Sequence, residues 1–162
     1  MNQGTVGGLI DKLGRTFRRQ NLSLVTAESC TGGMLASAIV SDPEASPILD
    51  RAFVVYSIDA KCEMLGLEHR RVEECGGVAE DVARAMASAA LERSGANLSV
   101  AITGFAGPRE GDEEVGLVHL ATATRDITHH RALHLGDIGR GSVCEEAIKV
   151  ALQMLIDLAR SL

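Results

Sequence analysis

The segment Leu24-Val25-Thr26-Ala27-Glu28-Ser29-Cys30-Thr31-Gly32-Gly33 decides the fold of this chain. An apolar run with strand character leads directly into a turn rich in hydroxyl groups and glycine, and a helix is predicted to follow. Gly32 and Gly33 permit backbone angles and close approaches that a Cβ atom would block. The first N–H groups of a helix are free, so they can bind an anion held in such a turn. The sequence predicts a strand-turn-helix unit presenting Ser29 as a nucleophile. The alternative is that Ser29 or Thr31 only caps the helix.

Length and composition predict a single globular domain covering residues 1–162. The chain has 162 residues, 46% of them hydrophobic and 23% charged, which is an ordinary composition for a globular domain. Its formal net charge is −6, and the longest basic cluster is Arg18-Arg19 with Arg15 nearby. One tyrosine, three phenylalanines and no tryptophan leave few side chains on which bases could stack. We therefore expect no nucleic-acid partner.

The cysteines indicate a reducing compartment. Cys30, Cys62, Cys75 and Cys144 form no Cys-x-x-Cys pair, and the sequence contains neither a signal peptide nor an apolar run able to span a bilayer. We expect four free thiols, a cytoplasmic location and no membrane partner. Cys30 stands beside Ser29 at the start of a predicted helix. That position predicts a lowered thiol pKa and a reactive cysteine.

Hydrophobic periodicity predicts alternating strands and helices. The predicted helices cover residues 6–19, 33–40, 59–65, 79–93 and 142–161, and the predicted strands cover residues 22–26, 51–57, 98–103, 115–124 and 127–135. Strands that alternate with helices and end in a β-hairpin predict a three-layer α/β/α sandwich around a mixed sheet. Ligands of open α/β sheets bind at the carboxyl ends of the strands. Ser29, Lys61 and Thr103 each follow a predicted strand, so the fold can bring them to one crevice.

A serine beside a lysine can cleave an amide. A desolvated, neutral lysine accepts the serine proton and returns it to the leaving nitrogen. The backbone N–H groups from Thr31 to Gly33 are predicted to stabilise the oxyanion. Two alternatives stay open, because a single lysine on a short helix is more often solvated and Tyr56 is more often a core aromatic residue.

The histidines do not favour a metal site. His130 and His134 share one face of a predicted strand, but His129 points to the other face and no cysteine or carboxylate has a matching spacing. Neither a P-loop nor a dinucleotide-binding glycine fingerprint follows a strand. We expect no metal and no organic cofactor.

Three separated motifs carry a family resemblance. Thr26-Ala27-Glu28-Ser29-Cys30-Thr31-Gly32-Gly33, Val55-Tyr56-Ser57 with Lys61, and Thr103-Gly104-Phe105-Ala106-Gly107-Pro108 together resemble the C-terminal domain of the competence/damage-inducible CinA family. The resemblance covers nearly the whole chain. It implies nicotinamide-nucleotide amidase activity, the hydrolysis of nicotinamide mononucleotide to nicotinic acid mononucleotide and ammonia. It also implies Ser29 as nucleophile, Lys61 as base and Tyr56 as a third site residue. The positions expected to bind the pyridine nucleotide are Thr31, Gly32, Gly33, Ser46, Thr103, Gly104 and Gly107.

Several residues depart from the family pattern. Arg109-Glu110 replaces glycines after Pro108, and Glu113-Glu114 stands where a Lys-Pro pair is usual. Ile138 replaces an arginine of the family before the last helix, and Arg140 or Arg109 is the expected substitute as a phosphate ligand, Arg140 being the nearer of the two. Two alternatives to the mononucleotide amidase follow: an inactive nucleotide-binding module, or an amidase for another carboxamide. A homo-oligomer is compatible with the sequence.

Overall fold

Five strands form one mixed sheet with helices on both faces. The computed structural model describes residues 4–162. The strands are β1 (Leu24–Glu28), β2 (Leu49–Val54), β3 (Leu98–Gly104), β4 (Leu117–Ala123) and β5 (Thr128–His134). The helices are α1 (Val6–Arg19), α2 (Met34–Val40), α3 (Ile58–Leu65), α4 (His69–Glu74), α5 (Glu80–Glu92) and α6 (Arg140–Arg160), and a 3₁₀ turn covers Ser46–Ile48. The predicted α/β/α sandwich is confirmed.

The strand order is β2-β1-β3-β4-β5. β1 lies in the middle of three parallel strands, pairing with β2 on one side and β3 on the other. β4 and β5 then add antiparallel strands as a hairpin. The carboxyl ends of β1, β2 and β3 therefore meet at one edge of the sheet, where the loops that follow them can form a site.

Two apolar layers hold the helices to the sheet. One face packs against α1, α2 and α6, with Leu13, Phe17 and Leu155 fully buried. The other face packs against α3, α4 and α5, with Met86 fully buried. Alanine is frequent on the buried side of α5, so this helix lies close to the strands. No helix in residues 4–162 combines the length and the apolar character needed to cross a membrane.

The predicted boundaries agree with the structure for α1 and differ elsewhere by a few residues. β1 begins at Leu24, two residues later than predicted, because Asn21 adopts a positive φ of 55° and the Leu22 N–H returns to the Phe17 carbonyl at 2.9 Å. β2 ends at Val54, three residues earlier than predicted. Ser57 instead caps α3, with its hydroxyl accepting the Ala60 N–H at 3.0 Å. The six-residue α4 was not predicted from the sequence.

Candidate active site

Ser29 and Lys61 meet at the carboxyl edge of the parallel strands. The Lys61 Nζ lies 2.8 Å from the Ser29 Oγ, and the two residues are 3% and 6% exposed. Ser29 directly follows β1, and its N–H continues the ladder to β3 by donating to the Ile102 carbonyl at 2.9 Å. The predicted convergence of these side chains is present, and the alternative of a solvated Lys61 is wrong.

Backbone carbonyls hold the amine of Lys61 in place. Its Nζ lies 3.0 Å from the Val55 carbonyl oxygen and 3.4 Å from that of Tyr56. Both carbonyls belong to the segment between β2 and α3, and Gly66 closes α3 with a positive φ of 72°. Burial lowers the pKa of Lys61 from its ordinary value of 10.5, because an ammonium loses hydration in this position. The lysine is therefore closer to its neutral, basic form than a surface lysine would be.

The N-terminus of α2 is occupied by a carboxylate from the chain itself. The fully buried Glu28 accepts the N–H groups of Gly33, Leu35 and Ala36 at 3.2, 3.1 and 2.9 Å. It also accepts the Thr31 hydroxyl at 2.6 Å. This internal carboxylate cap fixes the turn that carries Ser29.

Because of this cap, two predictions about the turn are wrong: the oxyanion role of Gly32 and Gly33, and the capping of α2 by a hydroxyl side chain. Gly33 donates to Glu28 and the Gly32 N–H donates to the Ser29 carbonyl at 2.9 Å, so neither is available to an oxyanion. Neither Ser29 nor Thr31 caps the helix with its side chain. Within residues 4–162, the N–H groups of Cys30 and Thr31 donate no hydrogen bond to another residue. The N–H after a nucleophile is a common oxyanion donor, which leaves Cys30 as the better-placed group.

The expected reactivity of Cys30 is wrong. Burial raises the pKa of its thiol to about 12, with the nearby Cys144 thiol acting in the same direction. The Cys144 thiol donates to the Cys30 carbonyl at 3.5 Å. Desolvation of the buried thiol is the largest cause of this shift, so the position at the start of α2 does not make the thiol reactive. All four cysteines are free thiols, as predicted.

The loop after β3 forms a second wall of the cavity. Thr103 is fully buried, and its hydroxyl donates to the Gly77 carbonyl at 2.6 Å. A Cβ on Gly104 would lie 2.8 Å from the Leu117 carbonyl oxygen, so a larger residue cannot pair here with β4. Gly107 adopts a positive φ of 89° and precedes a cis peptide to Pro108. Thr103, Gly104 and Gly107 all line the cavity with Ser29, as expected.

Tyr56 and Arg140 lie at the rim. Tyr56 is 59% exposed, so the alternative of a core aromatic residue is wrong. Arg140 opens α6, and its guanidinium lies 3.4 Å from the Tyr56 hydroxyl. The cavity has a volume of about 300 Å³, within the range of small-ligand sites. It brings together residues 56 and 140, which lie far apart in the sequence.

Several residues expected at the site lie elsewhere. Ser46 precedes β2 and so lies at the opposite end of the sheet from Ser29, because β1 and β2 run parallel. Its hydroxyl approaches only the Pro43 carbonyl, at 3.5 Å. Thr31, Gly32 and Gly33 belong to the capped turn beside the cavity and do not line it. Arg109 and Ile138 are also absent from the lining.

The other lining residues were not predicted individually as binding positions, although the loop that begins at Thr103 was expected at the site. They are Ile58, Gly76, Val78, Phe105, Ala106, Pro108, Glu110 and Glu113. The Gly76-Gly77 pair between α4 and α5 is the feature of the sequence that could have indicated the site. Both glycines have positive φ, and a Cβ on Gly77 would lie 3.4 Å from the Lys61 amine. This loop therefore packs directly against the lysine.

The histidines form pairs away from the cavity. His130 and His119 approach within 2.9 Å through their ring nitrogens, and His134 lies 2.6 Å from Glu114. Burial lowers the pKa of both His119 and His130. Within residues 4–162 no group of three or more His, Cys, Asp or Glu side chains has the arrangement of a metal site.

This geometry defines an α/β-sandwich protein with a buried serine–lysine pair at the carboxyl edge of its sheet. Residues 8–159 match the model of the CinA C-terminal domain. The chain belongs to that family, and the resemblance inferred from the three motifs is confirmed.

Relatives and solved structures agree with this assignment. A CinA-like protein of Akkermansia muciniphila is 42% identical over 144 residues, covering 88% of this chain and 35% of that protein. A CinA-like protein of Chlorobium limicola is 42% identical over 117 residues, covering 71% of this chain and 27% of that protein. The chain thus spans about a third or less of the length of these relatives.

Two solved structures share the fold over nearly the whole chain. A competence/damage-inducible protein of Agrobacterium tumefaciens has 42% identity and a TM-score of 0.91, covering 96% of each chain. A CinA superfamily protein of Escherichia coli has 32% identity and a TM-score of 0.90, covering 98% of this chain and 92% of that one.

Proposed function

We propose that this protein hydrolyses the carboxamide of nicotinamide mononucleotide to nicotinic acid mononucleotide and ammonia. The observation that carries the proposal is the buried contact of 2.8 Å between the Lys61 amine and the Ser29 hydroxyl. A buried lysine with a lowered pKa beside a serine is the arrangement that serine–lysine acyl transfer requires. Membership of the CinA family supports the choice of substrate.

The three neighbours of the Lys61 amine match the needs of a general base. A neutral amine has two N–H bonds and one lone pair. The Val55 and Tyr56 carbonyls accept the two N–H bonds, which leaves the lone pair for the Ser29 hydroxyl proton. As Ser29 Oγ bonds to the amide carbon, its proton passes to Lys61. The carbonyl oxygen takes the negative charge and faces the Cys30 N–H.

The intermediate then collapses in two stages. Lys61 returns its proton to the amide nitrogen, the C–N bond breaks and ammonia leaves, so that an ester remains on Ser29. Water attacks this ester, with Lys61 taking one proton from the water and returning it to Ser29 Oγ. The carboxylic acid is released and ionises. The balance is one amide and one water consumed, one acid and one ammonia formed.

Arg140 is the cation available for the phosphate. It lines the cavity on the side of Tyr56 and is in no ion pair with another residue of the described chain, 4–162. A guanidinium suits phosphate because it presents several donors in one plane. Arg140 therefore takes the role that the family arginine, replaced here by Ile138, would have had.

An ammonia-release assay on nicotinamide mononucleotide tests the proposal, with mass spectrometry to identify nicotinic acid mononucleotide. The wild type should release one ammonia per product formed, and Ser29→Ala should reduce kcat to background while its circular dichroism spectrum is unchanged. Ser37→Ala is the matched control, because Ser37 is exposed on α2 and its hydroxyl makes no hydrogen bond within the described residues.

Three results would refute the proposal. Full turnover in Ser29→Ala would show that Ser29 is not the nucleophile. Tight binding of the mononucleotide without ammonia release would identify a nucleotide-binding module, and ammonia from a different carboxamide alone would identify another amidase.

A further inference from the structure

The cavity contains unpaired charges of both signs. Arg140 lies at the rim near Tyr56, whereas Glu110 and Glu113 line the cavity from the loop after Pro108. Many exposed charges of this protein form ion pairs, including Arg71 with Asp81. In the described residues, 4–162, none of the three charges that line the cavity beside Lys61 belongs to an ion pair. Opposite charges that stay unpaired at one cavity point to a ligand carrying both signs.

Glu113 is the better defined of the two carboxylates. It is half-buried, whereas Glu110 is exposed. The Glu110 backbone N–H donates to the Glu113 Oε1. Hydrogen bonds from the backbone of Glu110, of Glu113 itself and of Gly111 lower the pKa of the Glu113 carboxyl. A carboxylate that backbone hydrogen bonds hold in place keeps its charge at a fixed position beside a ligand, unlike a mobile surface carboxylate.

The same cavity offers flat apolar surface. The single tyrosine of the chain and one of its three phenylalanines, Phe105, both line it, together with Ile58 and Val78. Aromatic faces bind flat cationic rings more strongly than neutral ones of the same shape. The lining is therefore suited to a positively charged ring that carries the carboxamide.

We propose that Glu113 is a specificity-determining residue that recognises positive charge beside the carboxamide. The site then takes zwitterionic substrates, with the cationic ring at Glu113 and the anionic group at Arg140. This inference rests on the proposed function for the identity of the reacting amide. It adds a residue to that function and explains why an acidic loop can stand at a site for a phosphorylated substrate.

Binding to the Ser29→Ala protein tests Glu113 without turnover. Calorimetry compares nicotinamide mononucleotide with its 1,4-dihydro form, which keeps the amide and phosphate but lacks the ring charge. The Ser29→Ala protein should bind the charged form about tenfold more tightly, and high salt should reduce this preference. Adding Glu113→Gln should abolish most of the preference, whereas adding Glu113→Asp should retain most of it.

Glu114→Gln is the matched control in the same background. It removes the same charge one residue away, but the Glu114 carboxylate pairs with His134 and does not line the cavity. An unchanged preference in Glu113→Gln, or an equal loss in Glu114→Gln, would overturn the inference. So would a preference that salt does not alter. If the preference depends on Glu113 while the wild type releases no ammonia, the proposed function fails and the recognition role stands. Failure to bind either nucleotide overturns both proposals.

Discussion

Lys61→Met removes the buried amine from the site and keeps an unbranched side chain in its place. Lys61 is 3% exposed, and its amine has three oxygen neighbours within 3.4 Å. If the lysine is the general base, the substitution should lower kcat by about 10²- to 10⁴-fold. Ser29→Ala and Lys61→Met act on one proton transfer, so the double variant should be no slower than the slower single variant.

The same substitution should change how stability depends on pH. Burial lowers the pKa of Lys61 below the ordinary 10.5 that it regains on unfolding. Between the folded pKa and 10.5, the unfolded chain therefore binds more protons than the folded chain. The free energy of unfolding must rise with pH in this window, by at most about 1.4 kcal/mol per pH unit from this one group. Lys61→Met lacks that contribution.

Urea unfolding followed by circular dichroism measures the difference. The chain has no tryptophan, so its fluorescence would report poorly. The wild type should gain stability relative to Lys61→Met as the pH rises toward 10.5 from below. Lys149→Met is the control, because ion pairs with Glu146 and Glu145 raise the pKa of Lys149 and place its titration above 10.5. This control should keep the wild-type slope.

Parallel stability curves for the wild type and Lys61→Met would refute the reasoning. They would show that Lys61 titrates alike in the folded and unfolded states, so that it is not desolvated in solution. The activity gives a second check, since kcat/KM for ammonia release should rise with pH as Lys61 loses its proton. A rate that falls across this window would exclude Lys61 as the base.

Three further predictions concern the rim, the capped turn and the cofactor requirement. Arg140→Ala should raise the KM for nicotinamide mononucleotide by about tenfold or more, the loss expected for one charge-assisted hydrogen bond, while the KM for the dephosphorylated nucleoside changes little. Equal effects on both substrates would exclude Arg140 as the phosphate ligand. Glu28→Gln should lower the free energy of unfolding by about 2–3 kcal/mol in urea titration, because an amide cannot accept all four hydrogen bonds that reach Glu28. Stability within about 0.5 kcal/mol of wild type would show that the cap contributes little. Purified protein should contain no stoichiometric zinc, and a chelator should leave ammonia release unchanged; one metal per chain by elemental analysis would contradict this.

The sequence by itself determined most of the elements and the buried side of the long helices α1, α5 and α6. Helix α1 was predicted with its observed bounds, Val6–Arg19, because its apolar residues recur at helical spacing along the whole element. The strand-turn-helix unit around Ser29 was also predicted, because the apolar run and the two glycines that indicate it are adjacent in the sequence. The short α4 escaped prediction because six residues carry too little periodicity.

The tertiary structure decided which groups meet and what their charges become. Ser29 and Lys61 lie 32 residues apart, and the pairing of β1 with β2 brings them within hydrogen-bond distance. The same pairing places Ser46 at the far end of the sheet. The pKa shift of Cys30 is opposite to the prediction, because a local pattern shows the helix N-terminus but not the burial of the thiol in the folded chain. Periodicity reports which face of an element is buried, whereas desolvation and pairing depend on every atom that packs around a group once the chain has folded.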